Sequence, residues 1–269
     1  GGAVGATLAT QFIYFDEKRS PEFPDSMNGA YLGPEFFNID VERALRKFKP
    51  KFKHYEDSDL FPKIAKILDE GNVVGWFSGR MEFGPRALGG RSIIADPRRV
   101  DMQKKLNLKI KKRESFRPFA PSVLAEYASE YFELNSGSPY MLLVQPIKEE
   151  LCAELPKGYN GLPLREKLAV KRSDYPAITH IDFSARIQTV HKDTNPRYWS
   201  LIDAFREQTG CAMVVNTSFN VRGEPIVCTP EDAYRCFMNT EMDYLVIGEY
   251  VFAKKEQPEW TEKIEFDKD

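Results

Sequence analysis

Apolar and polar positions along the chain change period several times, and each change marks an element. The run Val73-Val74-Gly75-Trp76-Phe77 is apolar without interruption, the pattern of a short strand buried on both faces. Just before it, residues 58–70 set Ile64, Ile67 and Leu68 on one helical face, with Ser58 placed as N-cap and Gly71 as the glycine that ends the helix. A weaker helical period covers 40–48. Another covers 98–108, with Val100, Leu106 and Leu108 among its apolar positions. In the last third, residues 195–208 are amphipathic, with Trp199, Ile202 and Phe205 on one face and Gly210 as terminator. Thr229-Pro230-Glu231-Asp232 is a helix start: a capping hydroxyl, a proline at the first helical position and acids in the first turn. Short apolar runs at 92–95, 119–124, 141–144, 187–190, 212–215, 244–247 and 250–253 read as strands.

Two stretches lack such a period. Residues 16–38, with Pro21, Pro24, Asn28, Gly29, Gly33 and Pro34, read as linker and turns, and 146–180, rich in Lys, Glu, Pro and Gly, as an excursion over the surface. The chain opens on Gly1-Gly2-Ala3-Val4-Gly5-Ala6, which runs into a helical pattern through Phe15. A glycine-rich segment of this kind normally follows a strand and opens a helix. With no strand ahead of it, the segment reads as cut from a longer protein. Helices interspersed with short strands, without an internal repeat, predict an α/β fold with some antiparallel pairing.

Charge changes this picture at one place. Between Arg80 and Arg117 there are twelve Lys or Arg and four acids, about +8 in a chain of formal net charge −2, so the remainder sums to about −10. The same segment is glycine-rich and without apolar period, hence a loop. Glycines let backbone approach a ligand and guanidinium forks clamp phosphate or carboxylate, so the segment suggests a concave site for a small polyanion. The alternative is a solvated basic face. RNA binding fits poorly, because glycines and prolines interrupt the basic run, aromatics for base stacking are sparse within it, and the whole chain is acidic. Four scattered cysteines and three dispersed histidines predict neither a disulfide framework nor a metal cluster. No run reaches the length of a membrane helix, and a cytoplasmic protein is expected.

Further polar clusters stand at strand ends. Asp182-Phe183-Ser184-Ala185-Arg186 precedes a strand; Asn216-Thr217-Ser218-Phe219-Asn220 follows one, and Gly223-Glu224-Pro225 then turns the chain. Such positions bind ligands in α/β sheets, because the sheet fixes them while the loop exposes them. Taken singly, each reads rather as an Asx or Ser/Thr turn that ends a strand; two of them beside an Arg-rich loop favour a site.

Together these residues resemble a known family. Gly79-Arg80-Met81-Glu82-Phe83-Gly84-Pro85-Arg86-Ala87-Leu88-Gly89, Arg91-Ser92-Ile93, Asp96-Pro97-Arg98, the stretch 111–121, and Asn216 to Asn220 with Gly223-Glu224-Pro225 resemble the C-terminal half of the O-carbamoyltransferases of the NodU and CmcH type. The likeness runs from about Asp57 to Ala253. It implies a YrdC-like domain over 39–269, a twisted mixed sheet flanked by helices, preceded over 1–38 by the last helix and linker of an actin-like domain. It further implies that carbamoyl phosphate and ATP, with Mg2+, give carbamoyl-adenylate, which the N-terminal actin-like domain transfers to a hydroxyl-bearing acceptor. By resemblance, Arg86, Lys111, Arg113 and Arg117 meet the phosphates and the carbamoyl group. Arg186, Asn216 and Ser218 complete the pocket, and Arg80 and Arg91 contribute or pair with acids. A threonylcarbamoyl-adenylate synthase is the nearer alternative. Where the family usually has Asn, this chain has Gly90, and one hydrogen bond worth roughly 0.5–1.5 kcal/mol is expected to be lost. The apolar helix over 3–15 is an expected dimerisation surface.

Overall fold

A computed structural model describes residues 2–22 and 25–262, except the side chain of Arg165. Gly1, Pro24 and the last seven residues of the expected 39–269 domain therefore lie outside the described residues. Among the described residues, nine strands form one sheet: β1 (Lys53–His54), β2 (Val74–Phe77), β3 (Arg91–Ala95), β4 (Ala120–Leu124), β5 (Leu143–Pro146), β6 (Ser184–Val190), β7 (Met213–Ser218), β8 (Tyr244–Ile247) and β9 (Tyr250–Ala253). Their order is β1-β9-β8-β2-β3-β7-β4-β6-β5. The pairs β2·β8 and β4·β6 are parallel and the others antiparallel. The expected α/β fold with mixed pairing is therefore present. Every residue of β2, β3 and β4 is buried, as the unbroken apolar run of β2 requires of a central strand, and in β3 and β4 this takes Arg91, Ser92 and Ser122 inside as well.

The helices are α1 (Gly2–Ala9), α2 (Asn38–Leu45), α3 (Asp57–Asp69), α4 (Met102–Lys105), α5 (Ala128–Tyr131), α6 (Leu164–Ala169), α7 (Pro196–Thr209) and α8 (Pro230–Met238). Helix α3 packs along α7 and α2 along α8; α7 lies on β4 and β7, and α8 on β2 and β8. The start of α8 is the expected capping box: Asp232 N donates to Thr229 Oγ1 at 3.2 Å, and Thr229 N donates to Asp232 Oδ2 at 2.9 Å. Helix α1 and the π-helical turn after it, Thr10–Tyr14, bury none of their side chains.

Several expectations need correction. The N-cap of α3 is Glu56, not Ser58, which lies inside the first turn; the neighbouring Asp57 is drawn away to pair with Arg197 of α7. The 98–108 helix starts later, at Met102, and continues as a wider π turn over Leu106–Lys111. Its buried face is Met102, Leu106 and Ile110, while Val100 and Leu108 are exposed. On α7 the buried residues are Tyr198, Leu201, Ile202 and Phe205; Trp199 is half-buried against the edge of the core, its indole N–H donating to Glu126. The 141–144 strand shifts to Leu143–Pro146, because Met141 takes a left-handed backbone, φ 55°.

The largest revision concerns 16–38. Residues 27–34 are not free linker but a strap laid on the basic loop. Phe83 N donates to Ala30 O at 2.6 Å, Gly33 N to Met81 O at 2.9 Å, and Met81 N to Pro34 O at 2.9 Å. Asn28, Gly29 and Ala30 all have positive φ, a left-handed turn that bends the strap into the small apolar cluster of Ala30, Leu88, Ala120 and Met141. Tight packing continues on the other side of the loop. Gly89 has φ +107°, and a Cβ added there would lie 2.2 Å from Tyr198 Cδ1. Gly89→Ala should therefore cost about 2 kcal/mol or more, from disfavoured φ and overpacking together, measured by urea denaturation; a change within error of zero would refute this packing.

Candidate active site

The loop between β2 and β3 acquires its shape from buried side chains. Glu82, which is 6% exposed, points one carboxylate oxygen at three backbone amides of the loop, the Gly89 amide between them going to Ser92 Oγ at 3.0 Å. Its Oε1 accepts from Leu88 N at 2.6 Å, Gly90 N at 2.7 Å and Arg91 N at 3.3 Å. The carbonyls are held from outside the loop. Ala87 O accepts from Asn216 Nδ2 at 2.9 Å, Leu88 O from Tyr31 Oη at 2.6 Å and Gln188 Nε2 at 2.7 Å, and Gly89 O from Trp76 Nε1 at 2.9 Å. Arg91 is buried beneath the loop, its guanidinium 3.6 Å from the centroid of Phe77 and donating to Gly79 O and Gly90 O. Burial lowers its pKa to about 10, against the opposing charge of Glu82.

Gly90 fits this arrangement. A Cβ there would lie 2.7 Å from the Arg80 carbonyl oxygen and 3.1 Å from Glu82 Oε2, so a side chain at 90 requires the backbone of the loop to move. The expected lost hydrogen bond is thus a secondary matter beside space.

A second loop, 112–117, is organised in the same way by a buried amide. Asn107 Nδ2 donates to Arg117 O at 2.8 Å and Ser115 O at 3.2 Å, while its Oδ1 accepts from Arg113 Nε at 2.7 Å. Strand β7 supplies the wall between the two loops. It extends through Ser218, so Asn216, Thr217 and Ser218 are members of the sheet rather than residues past its end. Asn216 pairs with Ile94 on one side and Ala120 on the other, and Ser218 with Ser92. That two-sided register fixes the polar residues more tightly than a loop would.

These elements enclose a cavity of about 350 Å³ lined by Arg86, Arg113, Arg117, Arg186, His180, Asn216, Thr217 and Ser218, with Phe119, Met141 and Val144 on its apolar side. It contains four guanidinium groups and no lining carboxylate. Burial lowers the Arg113 pKa, and the charge of Arg117 adds to the effect; Arg186 is lowered by burial and then by the charge of Arg86. Arg117 pairs with Glu114 at 3.0 Å from outside the lining, and crowded cations in a partly buried cavity are destabilising alone and are relieved by an anion. A smaller cavity of about 190 Å³ shares Arg113, Arg117 and Ser218 and adds Lys111, Asn220 and Arg222.

Lys111 sits in that second wall at 4% exposure. Its Nζ donates to Asn220 Oδ1 at 2.7 Å, Asn220 O at 2.9 Å, Ser218 Oγ at 3.2 Å and the Ser218 carbonyl. The wider π turn that hides Ile110 also turns Lys111 inward. Two of the expected residues line neither cavity: Arg91 stays beneath the loop, and Arg80 donates to Gly33 O at 3.1 Å and is 3.7 Å from Glu35. Glu82, Gln188, Tyr31 and His180 were not singled out from the sequence. Glu82 lay inside the motif, but nothing in its spacing distinguished a buried acceptor from a solvated acid.

A family model described as Carbamoyltransferase C-terminus matches residues 65–254. The chain belongs to this family. The carbamoyltransferase C-terminal domain is 58% identical over 275 residues to the uncharacterized protein sll1178 of Synechocystis, covering 99% of this chain and 45% of that one. It is 32% identical over 226 residues to the 3'-hydroxymethylcephem-O-carbamoyltransferase of Amycolatopsis lactamdurans, covering 84% of this chain and 38% of that one. It thus spans less than half the length of these relatives. Among solved structures, full-length HypF in its phosphate- and nucleotide-bound form aligns with 73% of this chain and 22% of that chain, at 17% identity and a TM-score of 0.46. No helix among the described residues is long and apolar enough to cross a membrane.

Two measurements test the site's supports. Glu82→Ala strands buried amides at about 1–3 kcal/mol each, so a loss of about 3 kcal/mol or more in urea denaturation is expected; Glu82→Gln, which retains an accepting oxygen, should lose clearly less, and equal losses would contradict the geometry. Burial lowers the Lys111 pKa to about 7, below its unfolded value. Between pH 7 and the ordinary lysine range the unfolded chain therefore holds the extra proton, and stability rises with pH by at most about 1.4 kcal/mol per unit. Lys111→Met should flatten that rise in a difference curve against wild type, and an unchanged slope would show that Lys111 stays charged.

Proposed function

We propose that the chain makes carbamoyl-adenylate from carbamoyl phosphate and ATP, for a preceding actin-like domain to transfer to a hydroxyl-bearing acceptor. The observation that carries this reading is the convergence of Arg86, Arg113, Arg117 and Arg186 on one cavity without a carboxylate, joined to a second basic cavity through Arg113 and Arg117. Two phosphate-bearing substrates need two adjoining cationic compartments. Membership of the carbamoyltransferase C-terminus family supplies the chemistry of the transferred group. The relative that acts on a hydroxymethyl cephem makes a hydroxyl acceptor the natural expectation for the whole protein.

The reaction asks for no side-chain nucleophile. Carbamoyl phosphate takes up water and yields carbamate and phosphate. A carbamate oxygen then bonds to the α-phosphorus of ATP as the bond from that phosphorus to the β-phosphate oxygen breaks, and pyrophosphate leaves. Negative charge accumulates on the α-phosphate and on the departing pyrophosphate. Guanidinium groups already fixed by Asn107 and by the register of β6 can meet it without reorganising. Lys111 holds Ser218 and Asn220 beside the smaller compartment, where its Nζ can exchange one protein oxygen for a phosphate oxygen. The larger cavity offers Mg2+ no carboxylate, so the ion would be held by the nucleotide's own phosphates.

In this reading residues 39–269 form the YrdC-like adenylate-forming unit, and 1–38 continue from the actin-like domain. The strap 27–34 nevertheless packs on the unit that follows it. A cytoplasmic setting supplies the ATP.

The test is pyrophosphate release from Mg-ATP with and without carbamoyl phosphate. Release should depend on carbamoyl phosphate and fall by roughly 100-fold or more in Arg86→Ala and in Arg186→Ala. Full activity in both variants would sink the assignment of the cavity. Threonine with bicarbonate should not replace carbamoyl phosphate; if it does, the chain is a threonylcarbamoyl-adenylate synthase instead.

A further inference from the structure

The turn that leads into β6 carries a relay of three polar side chains. Asp182 Oδ1 accepts from Ser184 N at 3.1 Å and from Ser184 Oγ at 2.6 Å. Ser184 Oγ also lies 3.2 Å from His180 Nδ1. Since the hydroxyl proton is spent on Asp182, Ser184 Oγ acts only as acceptor toward the ring. His180 therefore carries its proton on Nδ1 and its lone pair on Nε2.

The backbone holds the ring in place as well. His180 N donates to Ser184 O at 2.8 Å, and Phe183 N to His180 O at 3.2 Å. Phe183 closes the turn at φ 64°, an uncommon conformation for a bulky residue and one that concentrates at sites of function. Burial lowers the His180 pKa, reinforced by Arg186 and Arg172 and opposed by Asp182, so the ring is neutral near pH 7.

His180 lines the main cavity, and there its character is unusual. The four guanidinium groups can only donate. Ser218 Oγ already accepts from Lys111 and donates to Asn220. Asn216 Oδ1 is buried and without a partner. The Thr217 hydroxyl rotates to either role. His180 is the lining side chain whose tautomer is set, from behind, to accept.

We propose that His180 determines substrate specificity: its Nε2 accepts a hydrogen bond from the amino group of the carbamoyl moiety, selecting carbamoyl phosphate over acyl phosphates that lack an N–H. This rests on the adenylate-forming reading above and extends it from the phosphates, which any arginine cluster can bind, to the group that is transferred. The Asp182–Ser184 pair acts through His180 and is a positioning element. The polar cluster at 182–186, unexplained by phosphate binding alone, thereby gains a role.

Acetyl phosphate is the comparison substrate, since it exchanges only the amino group for a methyl. Pyrophosphate release by the 269-residue chain should favour carbamoyl over acetyl phosphate. His180→Phe should lower kcat/KM for carbamoyl phosphate by roughly 10- to 100-fold, leave acetyl phosphate nearly unaffected and so collapse the ratio. Affinity for inorganic phosphate, by calorimetry, should be unchanged. His180→Gln, which presents a carbonyl acceptor, should restore part of the ratio. Ser184→Ala, which frees the tautomer while keeping the ring, should lower it by a smaller factor, and decides the matter if His180→Phe does not fold. An undiminished carbamoyl-to-acetyl ratio in His180→Phe, or in Ser184→Ala where that variant must decide, overturns the role of His180. Wild-type protein that releases pyrophosphate with neither acyl phosphate overturns the adenylate reading itself, and this inference with it.

Discussion

The site depends on one buried carboxylate. Glu82 sits under the loop from Arg86 to Arg91 and collects amide protons that no strand or helix receives. A carboxylate in that position is costly to bury, and the cost is offset because each N–H it accepts would otherwise be unsatisfied. Nearby Arg91 supplies opposite charge without capturing the carboxylate side chain in an ion pair, since its own protons go to Gly79 and Gly90 carbonyls. The loop is therefore rigid for the same reason a helix is: its backbone groups have partners. Here the partners are side chains.

That rigidity lets the cavity tolerate crowded positive charge. Burial lowers the pKa of Arg186 and of Arg113, with Arg86 adding to the first and Arg117 to the second, and flexible supports would let the groups separate into solvent. Three of the four are instead tied down by different means. Arg186 belongs to a strand paired with Val144, Arg113 is hooked by Asn107, and Arg117 leans on Glu114 at 3.0 Å. Anions bound in the cavity would relieve that electrostatic cost. Preorganisation of this kind suits the proposed reaction, whose demand is charge neutralisation in a fixed geometry.

How much of this could be read in the residues depends on which physical signal each position gives. The strands at 244–247 and 250–253 and the capping box of Thr229 were legible to the residue, because a short unbroken apolar run and a cap are local properties. Ser58 misled because an acid one position earlier was already committed to Arg197, a contact 140 residues distant. The helix over 98–108 was misplaced because the π turn breaks the 3.6 period on which such reading depends. Arg86, Arg113, Arg117, Arg186, Asn216 and Ser218 do converge, although they come from separate segments. It was their motif context, not their periodicity, that joined them. Glu82 and the 27–34 strap stayed hidden because a charged residue in a core and a glycine-rich segment that packs look, in one dimension, like surface and linker.

The carbonyl of Leu88 receives Tyr31 from 57 residues upstream and Gln188 from 100 residues downstream, and Asn216 reaches Ala87 across 129. Closing loops of that length brings an entropic cost before any contact repays it. A chain with only part of its sheet assembled gains little by ordering the loop, because each missing partner strands another polar group. The arginine-lined cavity thus has no half-formed state. It is present when the whole sheet and the strap are present, and absent otherwise, so cooperativity of folding doubles as quality control on the site.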